Sequence, residues 1–480
     1  MSLREKTISG ILWSFTEQFS AKLLSFCITI VLARILDPAE FGIIAMFAVF
    51  ISIGNSLMDS GLTSSLIRTN DANQRDYSTI FFFNLIGSVF LYFILFLLAP
   101  YLSLFYKQEI LTNIIRVYGL TLILNAFFTI QNTRLSKEMD FKAQTIIIIP
   151  SVLGGGLLGI ILAKMGYGVW SLVWMSLLNS LLSTLMHWTY SGWRPDWVFD
   201  KESFKKHFFF GYKMTLSGLL DTIYQNIYII IIGKFYSATL LGYYSRANSI
   251  SQLSISNISA ALNKVTYPMF ASISNDDKKL KGIYKKILQQ VLFWNAPALI
   301  FLGVIAEPLF RFLLTEKWLP AVPYFQILCF AGIMYPLHAY NLNILKVKGR
   351  SDLFLKLEVV KKIISVIGIV IAIPFGIYGL LYFQLIFSVL GYFINSFYSG
   401  KIIGYTFKEQ LADIFPVIFL SCIIGALCYF LDRYLFLRFQ LPDFTRLIIA
   451  GVFYFLMYLS SSNIIKLNAI IDFKQLILKK

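Results

Sequence analysis

Apolar stretches of about 20 residues or more, each closed by a short charged segment, recur along the whole chain. That pattern constrains the fold more than any other feature. With 57% hydrophobic and only 14% charged residues, the chain carries more apolar surface than a globular interior can hide, since soluble domains are about a quarter charged. The excess must face lipid. In hydrocarbon every backbone polar group has to be satisfied within its own segment, so the expected fold is all-α and polytopic.

Fourteen stretches can be delimited: 9–35, 40–66, 77–105, 109–133, 143–164, 167–190, 208–233, 237–262, 287–315, 321–345, 353–374, 376–400, 411–431 and 444–463. Of the 42 Lys and Arg residues, roughly 29 fall on the side holding the N-terminus, the even-numbered connections and the C-terminus, roughly 9 fall opposite, and four lie within spans. By the positive-inside rule both termini are then expected in the cytoplasm of a bacterial inner-membrane protein. The first stretch, Ile8 to Leu36, is too long and too polar for a signal-peptide core and reads as a retained helix. A formal charge of +17 placed between apolar spans suits anionic headgroups rather than nucleic acid.

The connections are short, and none can hold a folded domain. Asn275–Gln290, with a cap at Asn275 and lysines on one surface, is expected to lie as a helix on the inner membrane face. Cys27, Cys329, Cys422 and Cys428 all fall in apolar stretches and read as buried packing residues. His187, His207 and His338 are too scattered for a metal site, and His338 beside Pro336 reads as a helix-packing or hinge position. Gly154 to Gly159 formally matches a dinucleotide fingerprint, but it sits inside an apolar span, so close helix packing through Gly155 and Gly159 is expected instead. There is no phosphate-binding loop for ATP and no catalytic constellation, and neither an enzyme nor a bound cofactor is expected.

The chain also repeats itself. Ala33–Ile44 (ARILDPAEFGII) aligns without gaps on Gly233–Tyr244 (GKFYSATLLGYY), pairing Gly42 with Gly242. Gly168-Val-Trp-Ser-Leu parallels Gly376-Ile-Tyr-Gly-Leu. Two six-helix lobes, 1–200 and 201–405, followed by two additional helices in 406–480, are expected to form a parallel pseudo-repeat.

Polar residues within spans are costly in lipid and should turn toward the protein or a hydrated cavity. They concentrate on the first, second, seventh and eighth stretches. Lys22, Arg116, Lys213 and Arg246 are candidate cavity cations, and Gln18, Asn55, Tyr224, Gln225, Tyr228 and Gln252 candidate polar or aromatic lining. Asp221, Tyr224, Gln225 and Tyr228 are expected on one helix face. Glu17, Asp59 and Asp221 are candidate counter-charges or coupling sites for an ion. Interhelical hydrogen bonding is the competing use of the uncharged members.

Several segments resemble, in order and spacing, the polysaccharide-transport (Wzx-type) branch of the multidrug/oligosaccharidyl-lipid/polysaccharide exporter superfamily. These are Ala33-Arg-Ile-Leu-Asp-Pro-Ala-Glu-Phe-Gly42, Asp59-Ser-Gly-Leu-Thr-Ser-Ser-Leu66, Gly233 through Ala247, Tyr267-Pro-Met-Phe-Ala-Ser-Ile-Ser274, Lys317-Trp-Leu-Pro-Ala-Val-Pro323 and Gly349-Arg-Ser-Asp352. The resemblance implies two lobes around a V-shaped cavity that opens alternately to each side. The implied cargo is an undecaprenyl-pyrophosphate-linked oligosaccharide, moved from the cytoplasmic to the periplasmic leaflet. It also implies coupling to an ion gradient, of protons or sodium, with no motif specific enough to assign the coupling residue. Membrane lipids and the lipid-linked sugar are the expected partners, other membrane proteins of polysaccharide assembly are candidates, and a monomer is expected. A multidrug or metabolite exporter of the same superfamily and a membrane polysaccharide polymerase remain as alternatives.

Overall fold

The computed structural model describes the backbone of residues 3–59 and 61–478, and side chains throughout except at 3–12, 14–18, 59, 254–265 and 476–478. Every regular element among the described residues is a helix. Two compact units divide at Gly242/Tyr243.

The first unit holds α1 (Leu3–Ile35), α2 (Pro38–Asp59), α3 (Leu62–Arg68), α4 (Gln74–Tyr106), α5 (Leu111–Tyr118), α6 (Leu120–Glu138), α7 (Phe141–Lys164), α8 (Val169–Tyr190), α9 (Lys201–Gln225) and α10 (Ile227–Phe235). The division falls after α10 because α9 packs on α2, α3 and α4, and α10 on α2. α11 (Ala238–Ser272) begins in this unit and continues into the second. The second unit continues with α12 (Asp277–Val304), α13 (Ala306–Leu314), α14 (Val322–Ile333), α15 (Tyr335–Val347), α16 (Ser351–Ala372), α17 (Gly376–Ile403), α18 (Phe407–Leu431), α19 (Asp443–Ile464) and α20 (Asn468–Leu478).

Among the described residues ten helices are long and apolar enough to cross a bilayer, or eleven if the bent pair α9–α10 is one span. One of the ten, Ser351–Ile403, contains both α16 and α17. α1 and α11 cover the first and eighth predicted stretches as helices of 33 and 35 residues; parts of both lie outside the described side chains, and the count of ten does not include them. α12 is the core helix of the second unit, with 67% of its apolar window buried. α16, by contrast, carries Ile363, Val366, Ile367, Val370 and Ile371 exposed, as a lipid-facing helix must.

Two expectations are corrected. Asn275–Gln290 is not a separate surface helix: Asp276, not Asn275, caps α12 by accepting from Lys279 N at 2.9 Å, and the helix runs unbroken from Asp277 to Val304. No Pro or Gly near Gln290 stops it, and Lys281, Lys285 and Lys286 are tied to Glu409, Asp413 and Asp472 at 2.9, 2.9 and 3.2 Å. Cys27 is exposed on α1, whereas Cys329 and Cys428 are buried, Cys422 is intermediate, and all four are free thiols.

The repeat emerges in the backbone. α1 ends at Ile35 and α2 starts at Pro38; α10 ends at Phe235 and α11 starts at Ala238. Within the first unit a Cβ on Gly42 would stand 1.8 Å from the carbonyl oxygen of Ala238, and one on Gly242 would stand 1.8 Å from that of Pro38. The two contacts are reciprocal, as a local two-fold requires, and only glycine permits so close an approach. Gly155 and Gly159 do the same for α7 on α8: added Cβ atoms would lie 2.7 Å from Met175 O and 2.9 Å from Met175 Cβ. His338 is a packing residue between α15 and α17, with Asn395 Nδ2 3.5 Å from its Nδ1.

Candidate functional site

Within the first unit, α2, α3, α4 and α6 line a partly open cavity of about 350 Å³. α6 supplies most of its polar wall. Asn125, Thr129, Asn132, Thr133 and Ser136 recur at helical spacing and all line it. Asn55 comes from α2 and Asn84 from α4, and no charged side chain among the described residues lines it.

The wall is ordered by its own hydrogen bonds. Asn125 Nδ2 donates to Asn55 Oδ1 at 3.5 Å. Thr129 and Thr133 donate to the carbonyls one turn back, at 2.8 and 2.7 Å. From α7, Gln144 Nε2 donates to Asn132 Oδ1 at 2.9 Å and to Ser136 Oγ at 2.8 Å. Asn84 is the exception: it is 1% exposed, and neither its amide nitrogen nor its oxygen has a hydrogen-bond partner.

A second buried group joins α3, α4 and α9. Ser65 Oγ lies 2.8 Å from His207 Nδ1, and His207 Nε2 lies 3.3 Å from Asp76 Oδ1. The three residue types are those of a hydrolytic triad. The site is closed, however: Ser65 is 3% exposed and His207 is fully buried, and none of the three lines the cavity. Asp76 also completes the capping box of α4, accepting from Asn73 N at 3.0 Å. The arrangement ties three helices together and presents no nucleophile. Scattered positions in sequence concealed it.

The residues expected at a cavity are distributed as follows. Asn55 lines the first-unit cavity and is brought against Asn125. Arg116 sits on α5 with its guanidinium 4.4 Å over the Phe96 ring, a cation–π contact with α4. Lys22, Lys213, Asp221 and Gln225 are exposed, and Tyr224 and Tyr228 are half-buried. Tyr228 does not share a straight helix face with Asp221, Tyr224 and Gln225, because the chain bends by 45° between α9 and α10. The bend falls at Asn226, whose Nδ2 donates to Thr222 O at 2.8 Å. In the second unit Arg246 is half-buried and Gln252 exposed on α11. Glu17, Gln18 and Asp59 lie outside the described side chains. Asn84, Asn125, Thr129 and Asn132 went unmarked in sequence, although the spacing along α6 was there to be read.

The charged clusters of the second unit are closed on themselves. Asp413 takes Lys285 Nζ at 2.9 Å, the Tyr405 hydroxyl at 2.5 Å and Gln289 Nε2 at 3.0 Å. Arg446 donates to Asp432 through Nε at 2.9 Å and a terminal nitrogen at 2.7 Å, and to Asp443 at 2.8 Å.

These features define a multi-pass helical membrane protein with a polar cavity in its first unit. Residues 31–323 match the family model described as polysaccharide biosynthesis protein, well over half the chain, and the chain belongs to that family. It is 26% identical over 429 residues to the lipopolysaccharide biosynthesis protein WzxC of Escherichia coli (strain K12), covering 88% of this chain and 86% of that protein. It is also 26% identical over 354 residues to the teichuronic acid biosynthesis protein TuaB of Bacillus subtilis (strain 168), 73% of each. The fold matches that of the lipid II flippase MurJ in an inward closed conformation, with a TM-score of 0.75 at 14% identity over 96% of this chain and 100% of that one.

Proposed function

We propose that this chain is a flippase that moves undecaprenyl-pyrophosphate-linked oligosaccharide from the cytoplasmic to the periplasmic leaflet of a bacterial inner membrane, for assembly of a cell-surface polysaccharide. One observation carries the reading: a chain of the polysaccharide biosynthesis family shares its fold, end to end, with a lipid II flippase. MurJ is named as a lipid II flippase, WzxC for lipopolysaccharide biosynthesis and TuaB for teichuronic acid biosynthesis. The buried state of Ser65 and His207 favours transport over catalysis, because no substrate reaches the hydroxyl.

In this reading two lobes, 1–200 and 201–405, rock about a shared cavity, with 406–480 appended and both termini cytoplasmic. Lys22, Arg116, Lys213 and Arg246 attract the pyrophosphate, since a cation in a low-dielectric cavity favours a phosphate oxygen strongly. Gln18, Gln252, Tyr224, Gln225 and Tyr228 meet the sugars, and the lipid tail stays among the helices. Glu17, Asp59 and Asp221 balance the cations or bind the proton or sodium ion that drives the cycle. One chain encloses the whole path, so the working unit is a monomer.

Expression in bacteria lacking their own surface-polysaccharide flippase tests the reading. Restored surface polysaccharide, read with a labelled lectin, is the expected result. Resistance to cationic drugs without restored polysaccharide would favour a multidrug exporter instead.

A further inference from the structure

We propose that the cavity lined by α2, α3, α4 and α6 is a subsite for an uncharged saccharide ring. The proposal rests on the flippase reading and adds where the sugar, as distinct from its pyrophosphate, is read.

The lining chemistry selects the ligand class. A phosphate calls for cations and a metal ion for carboxylates, yet no charged side chain among the described residues lines the cavity. Amides and hydroxyls form its polar wall instead. Sugar hydroxyls both donate and accept, so they pair best with a wall that offers both.

The internal bonds fix which atoms remain on offer. Asn55 Oδ1 is taken by Asn125 and Asn132 Oδ1 by Gln144. Asn55 Nδ2 and Asn132 Nδ2 are left as donors, and Asn125 Oδ1 as an acceptor. The Thr129 hydroxyl proton is spent on its own helix, leaving the oxygen to accept. Behind this wall Asn84 holds an unpartnered amide at 1% exposure. An amide buried in a bundle without partners is costly, and a small opening of the wall toward hydroxyls in the cavity relieves that cost. Phe128 contributes an apolar ring to the same wall, suited to the C–H face of a pyranose.

The size agrees. About 350 Å³ is roughly ten times the volume of a water molecule in the liquid and within the range of small-molecule sites. It far exceeds what a single ion needs.

The test uses the full chain in lipid nanodiscs, with its four cysteines replaced and Thr129→Cys as a reporter for a small water-soluble thiol reagent. The probes are glucose, galactose, rhamnose and N-acetylglucosamine, with sodium and potassium chloride as ionic controls. The expected result is that at least one sugar slows labelling. Adding Asn84→Leu should raise the half-protecting concentration about tenfold, the loss of one amide's hydrogen bonding. Asn84→Ala serves if the leucine variant does not fold. Labelling unaffected by every sugar, slowed only by a salt, or protected equally in both backgrounds would each overturn the subsite. The flippase reading fails separately, if the unaltered chain does not move a lipid-linked oligosaccharide between leaflets.

Discussion

Around Arg446, where α18 and α19 meet, each guanidinium nitrogen finds a carboxylate oxygen of Asp432 or Asp443 within 2.9 Å, and the arginine side chain is 2% exposed. Around Asn84, in the first unit, an equally buried polar side chain has no partner and sits in the wall of a cavity. The first region carries full charges and spends all of them on its own structure. The second carries none and keeps its hydrogen-bonding capacity in reserve. A buried ion cluster that closes on itself holds helices in place; an uncharged wall with spare donors and acceptors is built to receive something.

The contrast is best broken at its strongest point. Arg446→Ala leaves Asp432 buried without its cation, while Asp443 keeps Arg311 at 3.6 Å, and is expected to cost about 3 kcal/mol, read as a fall in the unfolding midpoint in detergent. Arg446→Met combined with Asp432→Leu should recover much of that loss. Gln144→Leu comes next. It removes the donor that fixes Asn132 and Ser136 and is expected to cost about 1 kcal/mol while loosening the cavity wall.

Asn84→Leu should raise the midpoint, by about 1 kcal/mol, because an apolar group replaces a buried amide that had no partner; sugar movement should nevertheless fall. A large stability loss there would erase the distinction between the two regions.

The smallest effect calibrates the measurement at a cap belonging to neither region. Asp200, half-buried at the start of α9, accepts from the Ser203 hydroxyl at 2.7 Å and from Ser203 N at 3.1 Å. The Ser203 hydroxyl and backbone bonds hold its carboxyl below the usual carboxylate range. A folded-state value below the unfolded one means that the contribution is complete above about pH 4 and lost as pH falls through the lowered value. The midpoint of Asp200→Asn should therefore lack part of the acid-side slope of the parent.

Local features were legible in sequence where one helix decides them. Breaks at Ile35/Pro38 and Phe235/Ala238 follow from a gap-free repeat, and the small residues at Gly155 and Gly159 announce a close crossing whatever the partner. The bend at Asn226 was not legible, because an Asn bonding its own helix backbone looks the same in sequence as one facing a neighbour. Nor was the cavity. Asn55 stood out on a helix already rich in polar residues, but Asn125 and Asn132 are separated by Phe and Ile, and Asn84 is isolated among phenylalanines and leucines. What makes them a site is the meeting of three helices, which is tertiary information. Arg116 shows the converse: a cation within a span demanded a partner, and an aromatic ring on α4 supplied it where an acid was anticipated.

The most direct measurement reconstitutes the chain in liposomes holding an undecaprenyl-pyrophosphate oligosaccharide labelled on the sugar, and follows its quenching by a reagent that cannot cross the bilayer. With the protein present, quenching should run past the outer leaflet's share toward completion, faster under an imposed proton or sodium gradient. A plateau at the outer-leaflet share, identical to that of protein-free liposomes under every gradient, would contradict the flippase assignment.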